Sequence, residues 1–159
     1  QTERIEMMRE VLADPANLDD RGYLSIDFPT KIDDLSPLTR VHKVNYIESE
    51  IIGATTGDTV GRLYLTQKGT GIIHSLDDEN NFFRFPDRTA VLNPYFNGTK
   101  VFDTTVYQNL HLKDRPFVNT NWALVINQRD EKVNQDIDLQ SLTDVRLYIY
   151  YTDFTELSQ

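Results

Sequence analysis

Val145-Arg146-Leu147-Tyr148-Ile149-Tyr150-Tyr151-Thr152 is the stretch on which the fold turns. Val145, Leu147, Ile149 and Tyr151 alternate with Arg146, Tyr148, Tyr150 and Thr152, and a period of two belongs to a strand with one buried face. The first set is expected to face a core. Tyr148 and Tyr150, with Tyr46 from an earlier run, are expected to cover the outer face of the sheet. Upstream the same texture recurs. Runs rich in Val, Ile, Tyr, Phe and Thr at residues 24–28, 41–52, 62–67, 71–76, 82–85, 89–93, 117–118 and 122–127 are separated by Gly, Pro, Asn and Asp, the punctuation of strands. Turn clusters such as Asp77-Asp78-Glu79-Asn80 and Asn97-Gly98 give the regular rhythm of a sandwich or barrel. No stretch of helical period lies between the strands, which disfavours βαβ units. The sequence predicts an all-β fold, an antiparallel β-sandwich of jelly-roll type, over residues 23–159.

Residues 1–22 read differently. Ile5, Met8 and Leu12 recur at three- and four-residue steps, the spacing of one helical face. Thr2 can cap such a helix, and Glu3 and Glu6 suit its positive end. Asp14-Pro15 stops it, because the residue before proline is pushed out of the α region. A polar linker with Asn17, Asp19, Asp20 and Gly22 follows. The expectation is a helical stub and linker over 1–22, poorly anchored to the sandwich and continuing upstream in a longer chain, because about twelve helical residues are marginal alone.

Composition narrows the chemistry. The chain has 159 residues, with 16 Lys+Arg against 25 Asp+Glu and a net charge of −9. A pI near 4.7 argues against a nucleic-acid partner, whose phosphates need clustered cations. Without cysteine there is no disulfide framework, zinc ribbon or thiol nucleophile. The longest apolar run is five residues, as at 122–126, far short of the ~20 that span a bilayer. His42, His74 and His111 have no metal-ligand spacing and read as solvent-facing or locally bonded. A catalytic serine assembled from Ser75 or Ser141 lacks a nucleophile elbow. Asp130-Glu131 and the Asp136/Asp138 pair offer carboxylates for glycosidase-type or calcium chemistry, but solubilising turn charges explain them better. No cofactor and no metal site is expected.

The aromatic loop is the better candidate. Asn93-Pro94-Tyr95-Phe96-Asn97-Gly98 places two large rings on a segment with little apolar flank. Exposed rings beside asparagine can anchor a protein partner or stack on a sugar, and rings folded under the loop would instead plug the sandwich end. Tyr95, Phe96 and Asn97, with Trp122, are the candidate partner- or glycan-binding residues. Asn97-Gly98-Thr99 also matches the N-glycosylation acceptor pattern.

Two longer segments carry a resemblance. One is Leu24-Ser25-Ile26-Asp27-Phe28-Pro29, then Arg40-Val41-His42-Lys43-Val44 leading into a strand that ends at Gly53. The other is Trp122-Ala123-Leu124, an acidic loop, and Leu142-Thr143-Asp144-Val145 running on to Tyr151-Thr152. Together they resemble the C-terminal domain of the A subunit of bacterial insecticidal toxin complexes (Tc toxins). The chain departs from that pattern at Ala54-Thr55-Thr56, at Asp153-Phe154, and in residues 93–102, which have no counterpart in it. The resemblance implies a non-catalytic domain of a large secreted bacterial protein that docks a partner toxin subunit. Its own oligomer and a glycan stand as further candidate partners, the latter making the chain a carbohydrate-binding module. Catalysis by the domain itself is not expected.

Overall fold

The computed structural model describes residues 2–7, 22–30, 39–55, 60–74, 80–100 and 104–155. In chain order the strands are β1 (Thr2–Met7), β2 (Tyr23–Thr30), β3 (Thr39–Thr55), β4 (Leu63–Lys68), β5 (Thr70–His74), β6 (Asn80–Arg84), β7 (Arg88–Leu92), β8 (Tyr95–Phe96), β9 (Thr120–Asn127) and β10 (Ile137–Thr155). Two short 3-10 turns, Thr104–Tyr107 and Lys132–Asn134, are the only helical elements among the described residues. The fold is all-β and mainly antiparallel.

Two four-stranded sheets hold most of the chain, ordered β1-β10-β3-β8 and β2-β9-β4-β7, with β5 and β6 forming a separate hairpin. One apolar cluster joins them. Val44, Ile47, Ile51, Val145, Leu147, Ile149 and Tyr151 come from the first sheet; Leu24, Ile26, Phe28, Leu63, Leu65, Trp122, Leu124 and Ile126 come from the second. The alternating set on β10 is therefore buried in the expected phase. Leu112, Phe117 and Val118 close the cluster from the loop before β9. Pro116 and the residues beside it make bridge contacts rather than the strand expected at 117–118.

Strand β3 changes phase between Tyr46 and Val44. His42 and Val44 point inward, and so do Ile47, Ser49 and Ile51. The pairing passes from Tyr150↔Tyr46 to Tyr151↔Val44, so Asn45 is the extra residue of a β-bulge, which twists the strand and re-aims its side chains. His42 accordingly lies in the core, edge-on to Phe117 and Tyr151 at centroid distances of 6.3 and 5.7 Å. It is not solvent-facing. Farther along, Gly53 sits so close to β10 that a Cβ there would lie 2.8 Å from the Ser141 carbonyl oxygen and 2.9 Å from Leu142 Cα. Only glycine permits that approach.

The N-terminal helix is the expectation the structure overturns. Residues 2–7 form a strand, paired antiparallel with β10 from Thr2↔Thr152 to Met7↔Leu147. Ile5 and Met7 are two apart, so the segment carries a strand period as well as a helical one. A long neighbouring strand with unpaired backbone groups decides between them. Residues 8–21, which hold the rest of the expected helix and the linker, lie outside the described residues.

Candidate functional site

The aromatic loop folds back onto the outer face of the first sheet. β8 pairs in parallel with Glu50 and Ile51 of β3. The chain then reverses at Phe96-Asn97-Gly98-Thr99, where Thr99 N–H donates to the Phe96 carbonyl at 2.9 Å. Asn97 and Gly98 have φ of 50° and 78°, the left-handed pair of a type I′ turn, which explains the Asn-Gly sequence. The Asn97 side chain serves as a false strand residue. Its Oδ1 accepts from Gly53 N–H and its Nδ2 donates to the Gly53 carbonyl, both at 3.0 Å. The nitrogen that a glycan would modify is thus in use.

Tyr95 is 9% exposed and meets Tyr107 edge-to-face at 5.5 Å. Phe96 packs against the main core. Trp122 is 1% exposed, stacks on Phe28 and donates its indole N–H to Thr30 Oγ1. The structure therefore brings Tyr95, Phe96 and Asn97 together and leaves Trp122 apart, inside the core. No ring of this group stands free as a stacking platform.

Beneath the loop lies a network the sequence did not announce. Glu48 and Glu50 project from the outer face of β3, yet are only 2% and 4% exposed. Lys100 Nζ bonds Glu48 Oε2 at 3.0 Å and lies 5.0 Å from the Tyr95 ring centroid. The Tyr148 hydroxyl donates to Glu50 Oε1 at 2.8 Å, and an Arg146 nitrogen lies 3.9 Å from the same oxygen. Arg146 also bonds Asp144 Oδ2 at 3.2 Å. Burial, reinforced by the Glu50 charge, raises the Tyr95 pKa well above the ordinary phenol value. Tyr46 and Tyr150 stack at 4.2 Å on the half-buried rim of the same face. The tyrosines of β3 and β10 thus do cover the outer face.

The signal for this network was split between two strands. Glu48 and Glu50 are two apart within an apolar run, and Arg146 and Tyr148 are two apart on β10. Only the register, Tyr148↔Glu48 and Arg146↔Glu50, sets them against each other. Chemically the arrangement fastens a loop to a sheet, each buried carboxylate being held by a cation or a phenol.

The other candidates are structural where they can be seen. Ser141 Oγ donates to the Asp138 carbonyl, Asp130 accepts from Asn127, and Glu131 pairs with Arg62. Ser75 lies outside the described residues. Among the described residues no group of His, Asp and Glu is placed to hold a metal ion, and no helix is long and apolar enough to cross a membrane.

Two sheets over one core, with a loop clamped across one outer face, define an all-β domain whose distinctive polar residues sit on its surfaces. No family model matches the sequence, and no curated protein matches it. Solved structures do match, among them the cryo-EM structure of TcaA–TcaB from Yersinia pseudotuberculosis, with a TM-score of 0.51 and 12% identity over 98% of this chain. This chain spans 10% of the length of that one. The likeness is one of fold.

Proposed function

We propose that this chain is a docking and assembly domain of a large secreted bacterial toxin-like protein, that it binds a partner toxin subunit, and that it performs no catalysis itself. One observation carries the reading: nearly the whole chain resembles a tenth of a chain in a toxin-complex structure. A small domain of that kind inside a large assembly component most simply serves contacts. The strand order supports a jelly-roll description, with β1, β3, β8 and β10 in one sheet and β2, β4, β7 and β9 in the other, the alternation of two Greek keys. The β5–β6 hairpin is inserted between the halves, and the short parallel β3–β8 pairing departs from the regular form. The carbohydrate-binding reading draws less support, because Tyr95 and Trp122 are buried and Phe96 packs on the core.

The test is affinity capture of a large toxin-complex subunit from the same organism, using the folded chain as bait. Retention with a Kd of about 1 µM or tighter, a binding energy of about −8 kcal/mol, is the expected result. No retention, together with reproducible binding on a glycan array that Phe96→Ala abolishes, would replace this reading with the carbohydrate one. Turnover of any glycan by the isolated chain would remove the non-catalytic part.

A further inference from the structure

Four of the eleven lysines and arginines whose side chains the structure describes have a carboxylate partner. Arg62 pairs with Glu131, Lys100 with Glu48, Arg129 with Asp130 and Arg146 with Asp144. Five of the other seven lie on segments that meet at one corner. It is where the end of β4, the end of β6, the start of β7 and the loop at 113–116 meet, tied by several bonds. Gln67 lies opposite Arg88, Phe85 N–H donates to the Gly69 carbonyl, and Gln67 Nε2 donates to the Pro116 carbonyl. These segments carry Lys68, Arg84, Arg88, Lys113 and Arg115, and among the described residues none of the five forms an ion pair.

The corner is built as well as charged. The Arg115 guanidinium stacks over the Phe85 ring at 4.2 Å and donates to the Pro86 carbonyl at 2.6 Å. The largest influence on Arg115 is burial, which lowers its pKa; Arg88 adds like-charge repulsion, and the Asp87 carboxylate opposes both to a smaller extent. Arg84, Arg88, Lys68 and Lys113, on the segments that meet here, are exposed. Among the described residues of these segments the carboxylates are two: Asp114, exposed, and Asp87, whose Oδ1 accepts from Gly69 N–H at 2.9 Å. Five cations against two carboxylates leave a local excess of positive charge in a chain whose net charge is −9. Holding like charges together costs free energy that an external anion would recover.

We infer that this corner is the docking point for an acidic segment of a partner protein, its carboxylates meeting the guanidinium groups of Arg84, Arg88 and Arg115. The inference rests on the docking reading and names the surface and the partner's chemistry. Guanidinium forks match carboxylates in paired hydrogen bonds, and Arg115 is already oriented by Phe85. A short acidic segment fits better than a nucleic acid or an anionic membrane. Those present continuous negative charge, which would also face the strongly acidic remainder of the chain.

The experiment measures fluorescence anisotropy of a labelled oligoglutamate peptide, with oligoglutamine as control. The expected result is binding of oligoglutamate alone, weakened by added salt and about tenfold weaker in Arg84→Glu/Arg88→Glu. Arg129→Glu/Lys132→Glu, an equal change of charge elsewhere, is expected to bind like the parent. Arg84→Gln/Arg88→Gln provides a milder pair whose melting curve certifies the fold. Equal binding by the corner variants and the parent overturns the inference. So does tighter binding to duplex DNA or phosphatidylserine vesicles, or self-association in sedimentation that the corner variants abolish. Partner capture separates the two readings. A subunit retained equally by parent and corner variants removes the corner and leaves the docking role, whereas oligoglutamate binding without any captured subunit does the reverse.

Discussion

The outer face of the first sheet and the cationic corner both gather charge, and they use it in opposite ways. On the sheet, Lys100 and Arg146 sit against Glu48 and Glu50, with Tyr148 and Tyr95 filling the space between. At the corner, Arg84 and Arg88 are exposed, and the half-buried Arg115 is held by an aromatic ring and a backbone carbonyl rather than by a carboxylate. Buried charge that is paired contributes to holding the fold, and loses that value when one partner is removed. Exposed charge that is unpaired contributes little to stability and much to encounter with a partner. The difference separates residues that keep the domain intact from residues available to something outside it.

That division can be broken by measurement. The largest effect is expected from Leu147→Ala, on the core side of the strand whose outer side bears Tyr148. Urea unfolding should show a loss of about 2–5 kcal/mol; a much smaller loss would mean that the two faces of β10 are exchanged. Glu50→Ala should follow, at about 2–3 kcal/mol, because the buried Tyr148 hydroxyl loses its acceptor. A neutral result there would make the sheet face no more structural than the corner. Removing residues 1–7 should cost more than the ~1 kcal/mol typical of surface changes, since six residues of β1 pair with β10.

Alkaline pH sharpens the comparison further. Burial raises the Tyr95 pKa above its ordinary value of 10.0, so its contribution is complete below pH 10.0 and declines as the pH rises toward the folded-state value. Melts above pH 10.0 should therefore fall more steeply for the parent than for Tyr95→Phe. The smallest effect is expected at the corner. Arg84→Glu/Arg88→Glu should shift stability by no more than about 0.5 kcal/mol, and a larger loss would reclassify these arginines as part of the fold.

Legibility in the sequence followed how local the deciding contact was. The alternation from Val145 to Tyr151 needs no partner to be read, and its phase is the observed one. The long strand beginning near Val41 was legible for the same reason, although the bulge at Asn45 was not, because a bulge exists only relative to the strand beside it. Residues 2–7 carried two periods at once, and β10 selected the strand. The aromatic loop was singled out for its rings, but its turn joins a sheet edge through Asn97 and Gly53, 44 residues apart. Burial of Trp122 likewise reflects the meeting of two sheets, which no short window contains. The corner was least visible: its five cations are scattered between positions 68 and 115.

The pairing of β1 with β10 has a mechanical side. Thr2 stands opposite Thr152, and the register runs inward from there to Met7 opposite Leu147. A tension that draws Thr2 away from Thr152 loads that first rung alone, then the next, so the strand peels off by unzipping rather than resisting as a sheared block. Each step needs only the rupture of the local bonds, and β3 still holds β10 on its other side. Under strain the first strand would be surrendered at low force while the two-sheet core stayed closed, exposing a fresh strand edge on β10 at the moment of pulling.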